Sequence, residues 1–587
     1  MPHSQTVLQA ESGAAAPTAP LAQGRVVKSA LARNVLTFLM VFGPGLIVME
    51  ADNDAGAVST YTQAGAQYGS LLWLLLLLLP ITYFIQEMVV RLGIAPLPDR
   101  DCDPAGLPRR GPAMSERGGA HMTTFHRFRV PMIRCVLALA ALAAGGAWPC
   151  GAEEPPAPPA EESAPLATPV PAWLPRLLGA QFTFIGQRVL PFSAAYSGPR
   201  SLVRKGDTEQ TDTYGLYFGS QLAERLQFYF DVEMARGRGI SNASGLGGIT
   251  NGDVIRQGSV DLGMNPYVAR AYLRYVIPLS KETEPVEHGL DRFPSPQPTS
   301  RFEVKLGKLA LPDDIDVNRY ANTTRTQFMN WGLFNNTAWD YAADTRGYSN
   351  GLYLGLIHPR WALRLASFQM PTLANGNVFD RGVGHARGDN LELTLSPHPD
   401  GAILRLLLFY NQGRMGSYRA AVQLARERGG TPDIVANDRP GRTKKGWGVN
   451  LEQPLADRGE TGAFLRLGWN DGRNEDFVFT EVDRHASAGV QVAGSRWGRE
   501  KDRAGLGVVI HGLSNDHRLY LENGGLGFLL GDGRLRYGHE EILETYYRLE
   551  VCDHVQIGPD FQHVVNPGFN RDRGPATVLA LRLHLEY

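Results

Sequence analysis

The chain has 587 residues with 58 basic and 59 acidic side chains, so its nearly balanced charge argues against a nucleic-acid-binding protein. Its mean hydropathy is slightly polar, whereas a helical membrane protein of this size would be far more apolar. The length suits either several domains or one large barrel. No disulfide framework is expected, because the four cysteines lack paired or metal-type spacing; they are Cys102, Cys135, Cys150 and Cys552.

The first part of the chain predicts a short α-helical membrane hairpin. Residues 1–30 are rich in Ala, Ser, Gln and Pro and are expected to be disordered. Two apolar segments follow, Asn34–Glu50 and Leu71–Val90, and the second is long enough to span a bilayer as a helix. The first contains Gly43-Pro44-Gly45 and leads into Asp52-Asn53-Asp54. A helix broken by polar residues at membrane depth is the device with which transporters expose backbone carbonyls to an ion.

This stretch resembles the start of the Nramp family of divalent-metal transporters. In that family an Asp-Pro-Gly-Asn motif helps to bind the metal; Asp54 and Gly56 match it, whereas Ala55 and Ala57 replace the proline and the asparagine. The resemblance stops near Ile94, short of the many helices that the family needs. We therefore expect residues 1–95 to be a truncated fragment with Asp54 as a vestigial metal ligand, without transport activity of its own and, if translated, in the inner membrane. The other matching residues are Gly43–Leu46, Ala64–Gly69 and Arg91–Ile94.

A secretory signal peptide is predicted over residues 122–152, after a Pro- and Arg-rich linker or junction at residues 96–121. Met122–Arg129 is a basic segment, Cys135–Ala144 is a short apolar segment, and small residues follow at Cys150-Gly151-Ala152. The natural start of the exported protein is therefore expected at Met122. Its mature form is expected to begin near Glu153, with residues 153–176 as an extended Pro- and Ala-rich spacer.

From residue 177 onward the sequence repeatedly alternates apolar and polar residues, which is typical of β-strands. In Leu226–Met234 the even-numbered residues are apolar and the odd-numbered ones are Gln, Tyr, Asp and Glu. The last segment, Thr577–Tyr587, places Leu on one face and Arg, His and Glu on the other. Similar segments are Val268–Tyr275, Arg301–Gly307, Asn390–Ser396, Trp447–Leu451, Leu465–Trp469 and Leu543–Val551. Turns and polar loops are predicted between the segments, at Asn470–Gly472, Gly531–Gly533, Lys281–Ser300 and Arg426–Lys445.

The composition of the polar faces favours a transmembrane antiparallel β-barrel over a soluble sandwich. A sandwich exposes Ser, Thr and Lys to water, whereas these polar faces carry mixed Arg, Glu, Asp and Tyr. Counting such segments over residues 177–587 predicts an all-β barrel of about 16 to 18 strands, a size that leaves an aqueous channel. A secreted soluble β-protein is the alternative.

Long motifs in this part resemble the OprB family of carbohydrate-selective porins. The resemblance implies a sixteen-stranded outer-membrane barrel through which sugars such as glucose diffuse passively, without a catalytic centre. The motifs are Asn318–Asn322, Arg325–Trp331, Trp339–Asp344 with Gly347-Tyr348, Gly524–Gly533 with Tyr537-Gly538, and Asp560–Pro575.

Candidate pore-lining residues follow from strand alternation alone. A selective lumen needs charged groups that exchange hydrogen bonds with sugar hydroxyls, and aromatic rings that contact the apolar face of the sugar. Alternatively, these groups pair with one another and stiffen the wall. The candidates are Tyr229, Asp231, Glu233, Arg270, Tyr272, Arg274, Glu303, Lys305 and Arg548. The acidic run Asp313–Asp316 lacks the ligand spacing of a calcium loop and is predicted to be solvated.

The sequence thus predicts an outer-membrane sugar porin; the alternatives are a non-selective general porin and an inactive metal-transporter remnant. Monosaccharides or small oligosaccharides, outer-membrane lipid and the outer-membrane assembly machinery are the expected partners. Neither a cofactor nor nucleic acid is expected, and the sequence gives no basis for an enzymatic activity. The C-terminal residues Leu583, Leu585 and Tyr587 are predicted to be the signal for membrane assembly.

Overall fold

The structure is a computed structural model that describes residues 175–253, 265–286, 288–398 and 400–587. The predictions for the transporter-like fragment, Asp54 and the signal peptide lie outside these residues. The strands are β1 Leu177–Val189, β2 Asp207–Ala223, β3 Leu226–Gly237, β4 Tyr267–Pro278, β5 Thr283–Glu284, β6 Gln297–Pro298, β7 Arg301–Leu309, β8 Ser349–His358, β9 Trp361–Gln369, β10 Arg387–Leu395, β11 Ile403–Met415, β12 Arg439–Ala456, β13 Thr461–Asn470, β14 Arg484–Ala493, β15 Arg503–Gly512, β16 Glu540–Cys552, β17 Val555–Val565 and β18 Ala576–Glu586. The helices are α1 Trp331–Phe334, α2 Tyr418–Arg428 and α3 Asn515–Glu522.

Sixteen of these strands form one closed antiparallel barrel, and β5 and β6 form a separate two-stranded sheet. Each barrel strand pairs with its neighbours in sequence, and β1 closes the barrel against β18 through pairs such as Phe184 with Leu583. Closure leaves no barrel strand with an unpaired edge. The predicted β-barrel and its strand number are confirmed.

The two faces of the wall differ as the alternation predicts. Leu306 and Leu408 point outward and are each 57% exposed, whereas Glu303 and Glu544 point inward and are 4% and 0% exposed. An exposed apolar surface of this extent is a liability in water and suits the hydrocarbon core of a membrane. Other outward-facing residues of the apolar surface are Leu273, Ile277, Leu352, Leu365, Val508, Ile510, Leu579 and Leu581. No helix among the described residues is both long and apolar enough to cross a membrane.

The two ends of the barrel differ in the length of their connections. The lower end, where β1 begins and β18 ends, has short turns such as residues 224–225 and 553–554. The upper end has long loops, among them residues 471–483 and 513–539. The lower connection at residues 279–300, between β4 and β7, is the exception because it is long.

Connections from both ends fold into the barrel. The upper inner loop, residues 310–348, is almost wholly buried and contacts inward-facing residues of strands around the barrel. The lower inner loop, residues 279–300, carries β5 and β6 and places its tip against the inner face of β1 to β4. The lumen is therefore narrowed from both ends.

Four loop and turn predictions were wrong in detail. Residues 426–445 are not one loop: they include the end of α2 and the start of β12. The acidic run at residues 313–316 is not a free solvated loop: Asp313 is exposed but pairs with Arg270, Asp314 pairs with Lys305, and the buried Asp316 pairs with Arg466. Residues 471–472 open the long loop 471–483, and residues 531–533 lie within the long loop that follows α3, so neither predicted turn is a tight turn between strands. Local composition could not show these features, because each depends on long-range packing.

Candidate functional site

A cavity of about 190 Å³ lies between the upper inner loop and the inner faces of β2 to β4. Its lining combines charged groups with aromatic rings. The charged residues are Glu233, Asp253, Asp313, Asp316, Arg325 and Arg346. The aromatic residues are Tyr267, Trp331, Phe334, Tyr341, Tyr348 and Phe479.

Glu233 is the best-connected charged residue of the cavity. Its carboxylate accepts hydrogen bonds from the hydroxyls of Tyr217, at 3.0 Å, Tyr267, at 3.1 Å, and Tyr348, at 2.6 Å. Arg325 lies 3.4 Å from the same carboxylate. Tyr217 and Glu233 come from neighbouring strands, whereas Tyr348 and Arg325 come from the upper inner loop. Hydrogen bonds to an ionised acceptor are stronger than neutral ones, so this cluster fixes the loop against the wall.

Arg325 is held between two carboxylates. Its Nε donates to Asp253 at 3.0 Å, and its terminal nitrogens face Glu233. Burial alone would lower the pKa of Arg325, but Asp253 and Glu233 outweigh burial and raise it. The guanidinium therefore stays charged, and its side chain is still 21% exposed. It can donate hydrogen bonds to a solute in the cavity.

Aromatic rings supply the apolar part of the cavity. The ring of Trp331 stacks on that of Phe479 at 4.9 Å, and Phe479 contacts Tyr341 at 5.6 Å. Arg346 lies 4.6 Å from the centre of the Tyr267 ring, a cation–π contact. Rings beside charged hydrogen-bonding groups suit a solute with hydroxyls and an apolar face.

Buried charges of the barrel wall hold the backbone of the upper inner loop. Arg466 on β13 donates to the carbonyl oxygens of Leu333, at 2.7 Å, and Ala321, at 2.8 Å. Glu544 on β16 accepts from the backbone N–H groups of Met329 and Asn330. Because a buried charge is costly unless it is paired and hydrogen-bonded, these contacts fix the loop and satisfy the wall together. Further contacts of this kind are Glu392 to Asp316, Glu452 to Arg319, and Arg582 to Thr324 and Gln327.

All nine pore-lining candidates lie on strands that carry their polar side chains inward, but only Glu233 lines the cavity. Tyr229 stacks on Tyr272 at 5.0 Å and is covered by Phe293 of the lower inner loop. Asp231 is fully buried beside Arg270. Their contact with a permeating solute stays a prediction.

The remaining candidates take part in ion pairs or backbone contacts. Arg274 binds both carboxylate oxygens of Glu303, at 2.8 and 3.0 Å. Lys305 pairs with Asp314 at 2.7 Å, and Arg548 donates to the carbonyl of Lys501 at the lower end. Pairing within the wall, the alternative considered for these residues, is thus observed, and a direct role in solute passage stays a prediction.

Strand alternation missed most of the cavity, because Asp253, Arg325, Arg346 and Tyr348 lie on loops and Trp331 begins the short helix α1. A signal for three of them was present in the sequence. Arg325 and Trp331 are the first and last residues of the motif Arg325–Trp331, and Tyr348 is the last residue of the motif that begins at Trp339. Loop residues with functional roles are common where a rigid scaffold positions them.

A buried cluster of possible metal-ligand type lies apart from the cavity, under the upper loops. The ligand atoms of Asp476, Asp483 and His517 lie within 4.8 Å of one another. Asp476 is ion-paired with Lys444, and Nδ1 of His517 lies 3.1 Å from Asp483. Burial alone would raise the pKa of Asp483, but His517 brings it below its ordinary value. The cluster therefore reads as an internal network of ion pairs.

Comparison with known proteins agrees with the barrel. The family described as "Carbohydrate-selective porin, OprB family" matches residues 219–587, and the family described as "Natural resistance-associated macrophage protein-like" matches residues 45–96. No curated protein matches the chain.

Among solved structures, the high-pH structure of Pseudomonas putida OprB is similar with a TM-score of 0.50 and 15% identity, over 70% of this chain and 94% of that one. The low-pH structure of the same protein gives a TM-score of 0.38 and 12% identity, over 70% and 92%. The outer membrane channel DcaP of Acinetobacter baumannii is similar with a TM-score of 0.38 and 9% identity, over 70% of this chain and 96% of that one. At 15% identity, the similarity to the high-pH structure of Pseudomonas putida OprB shows the fold alone.

Proposed function

The chain belongs to the OprB family of carbohydrate-selective porins, and on that premise we propose that monosaccharides such as glucose diffuse passively through its barrel, past the cavity at Glu233 and Arg325. The family and the fold make it a channel of the bacterial outer membrane rather than an enzyme. In such barrels the short turns face the periplasm and the long loops face outward. The lower end of the barrel is therefore the periplasmic end.

The observation that carries the proposal is the mixed lining of the cavity. A monosaccharide is neutral and has many hydroxyls. Arg325 can donate to those hydroxyls, and Glu233 and Asp253 can accept from them. Trp331 and Phe479 offer apolar surface to the sugar ring. The cavity of about 190 Å³ is below the roughly 300–1,000 Å³ of pockets for drug-sized ligands, which favours a single sugar unit.

The proposal is tested by single-channel recording on the protein purified from outer membranes. Glucose should reduce the ion current in a concentration-dependent way, and Arg325→Ala should weaken that block at least tenfold. The matched control is Arg536→Ala, because Arg536 is an exposed arginine of the upper loops, 67% exposed and paired with Asp572. A current that ignored added glucose in the unchanged protein would favour a non-selective porin.

We also propose the domain division expected from the sequence: a transporter-like fragment at residues 1–95, a junction at 96–121, a signal peptide at 122–152, a spacer at 153–176 and the barrel at 177–587. Its support is the pattern of basic, apolar and small residues that begins at Met122. Amino-terminal sequencing of the protein from outer membranes should return Glu153 or a close neighbour. A sequence that begins before Met122 would overturn this division.

A further inference from the structure

The lower inner loop is built as a folded hairpin rather than as a slack connection. Its base continues the β4–β7 pair, with a bond of 2.8 Å from the backbone N–H of Leu279 to the carbonyl of Ser300. β5 and β6 then pair Thr283 with Pro298 and Glu284 with Gln297. Beyond them, Gly289 and Arg292 exchange two backbone hydrogen bonds that close the tip into a tight turn.

The inner wall has a seat that fits this tip. Leu290 lies over Gly179 of β1, where a Cβ added to the glycine would stand 2.8 Å from the Leu290 side chain. Phe293 lies over Gly219 of β2, where an added Cβ would stand 3.0 Å from the ring. The Phe293 ring also meets the edge of the Tyr229 ring at 5.7 Å. A Cβ at Gly179 would displace the end of the Leu290 side chain, and one at Gly219 would crowd both the Phe293 ring and Leu177, because Cβ atoms rarely approach other heavy atoms so closely.

The tip reaches the structures that surround the cavity. Asp291 lies 3.5 Å from Arg270 of β4, which also contacts Asp231 of β3 at 3.3 Å. The same guanidinium binds both oxygens of Asp313 in the upper inner loop, at 2.7 and 2.8 Å. Asp231 is two residues below Glu233 on β3, so the tip lies directly below the cavity. Arg270 thus joins the two inner loops.

We propose that the lower inner loop is a second, exit-side constriction of the pore that limits the size of solute leaving the cavity for the periplasm. The limit comes from the loop's position: its tip crosses the inner face of four neighbouring strands, from Gly179 on β1 to Arg270 on β4. A solute that passes the cavity beside Glu233 therefore meets Leu290, Asp291 and Phe293 next. The application to sugars rests on the proposed function, whereas the narrowing itself applies to any solute.

The decisive variant removes the tip and keeps the base. Residues 285–296 are replaced by Asn-Gly, which suits a two-residue turn between β5 and β6. The conductance in potassium chloride should rise at least twofold, and disaccharides should gain entry in liposome swelling relative to monosaccharides. The control removes residues 495–500 from the periplasmic turn between β14 and β15, which contacts none of the seat residues named above, and should change neither readout. A correctly folded tip deletion with unchanged conductance would overturn the proposal.

A second variant tests the position of the tip without deleting it. In a Cys552→Ser background, Leu290→Cys is modified with a bulky cationic thiol reagent, which should reduce the conductance by at least half. The matched control is Glu282→Cys, at an exposed position near the base of the same loop. Equal effects at both positions, or none at Leu290→Cys despite complete labelling, would overturn the proposal. Because both conductance readouts use salt alone, they remain informative even if the protein does not select sugars.

Discussion

The two inner loops enter the same barrel but are held in different ways. The upper inner loop is bound through its backbone as well as its side chains, with Arg466 and Glu544 of the wall reaching its carbonyl and N–H groups and Glu233 bonding to Tyr348. The lower inner loop is bound through a few side chains at its tip, chiefly Leu290, Asp291 and Phe293, while residues 281–285 are exposed. The upper inner loop is thus held along its length by buried polar contacts, whereas the lower inner loop is held mainly at its tip.

This difference indicates which part of the pore tolerates change. Withdrawing the upper inner loop would leave buried charges such as Arg466 without partners, which is costly. Withdrawing the lower tip would mainly expose two apolar side chains and return Asp291 to water. We therefore expect the upper constriction to be essential for folding and the lower one to be adjustable.

The largest expected effect comes from breaking the attachment of the upper inner loop. Arg466→Leu removes a fully buried guanidinium and leaves Asp316, its ion-pair partner at 3.0 Å, unpaired. Removing one partner of a buried pair costs about 3–5 kcal/mol. We expect protease cleavage within residues 310–348 and a lower unfolding temperature of the barrel. Arg466→Lys should not restore the loop, because an ammonium cannot replace the planar fork; full protection in that variant would contradict this account.

The stability of the upper loops should depend on pH, through Glu475 in the loop 471–483. Burial raises the pKa of Glu475 from 4.5 to about 7, although the N–H of Gly416 and the charge of Lys444 lower it and Asp438 and Glu481 raise it further. The folded state therefore binds this proton more tightly than the unfolded state does, so stability from Glu475 is complete below its ordinary pKa and is lost as pH rises to about 7.

Glu475→Gln should remove that dependence and stabilise the upper loops at pH 8 by roughly 3 kcal/mol. The measurement is the rate of proteolysis of the upper loops between pH 4 and pH 8. Glu427→Gln, on an exposed turn of α2, is the control and should leave the profile unchanged. A profile that keeps its slope in Glu475→Gln would contradict the assignment.

Arg270 is where the two loops meet, so its removal should affect both. Arg270→Ala leaves Asp231, Asp291 and Asp313 facing one another without their shared cation. The expected cost is about 2–3 kcal/mol, since hydrogen bonds to charged groups are lost at a largely buried site. We expect larger fluctuations of the open-channel current and faster cleavage after Arg292. Current noise equal to that of the unchanged protein would show that Arg270 does not couple the two inner loops.

The smallest effect should come from the apolar contact of the lower tip. Phe293→Ala removes a side chain that is 8% exposed, and full burial of such a ring contributes about 2 kcal/mol. The barrel should keep its unfolding temperature while its conductance rises, because only the seat of the tip is weakened. Leu279→Ala is the matched control, since Leu279 is 55% exposed at the base of the same loop. A global loss of stability in Phe293→Ala would contradict the expectation that the lower inner loop can change without affecting the fold.

Much of the wall could be predicted from the sequence. Leu226–Met234 and Thr577–Tyr587 were assigned as strands with the observed inward and outward faces. The cavity could not be predicted in the same way, because Arg325 and Trp331 reach it from a loop whose path depends on Arg466 and Glu544 far along the chain. The helices α2 and α3 have no counterpart among the predicted elements: only the last three residues of α2 fall within a predicted loop, and no element is predicted over residues 515–522.

The sequence by itself determined the barrel and, in the segments with clear alternation, the side of the wall on which each residue lies. A strand has a period of two residues, so the order of apolar and polar residues in a short segment shows which side chains share a face. The apolar face must meet lipid. Only the tertiary structure decided which connections fold inward and which charges meet. Glu233 and Arg325 are 92 residues apart in sequence, and Asp291 meets Arg270 from a tip that packs over Gly179 and Gly219. Such contacts have no local period, because they depend on the whole closed barrel.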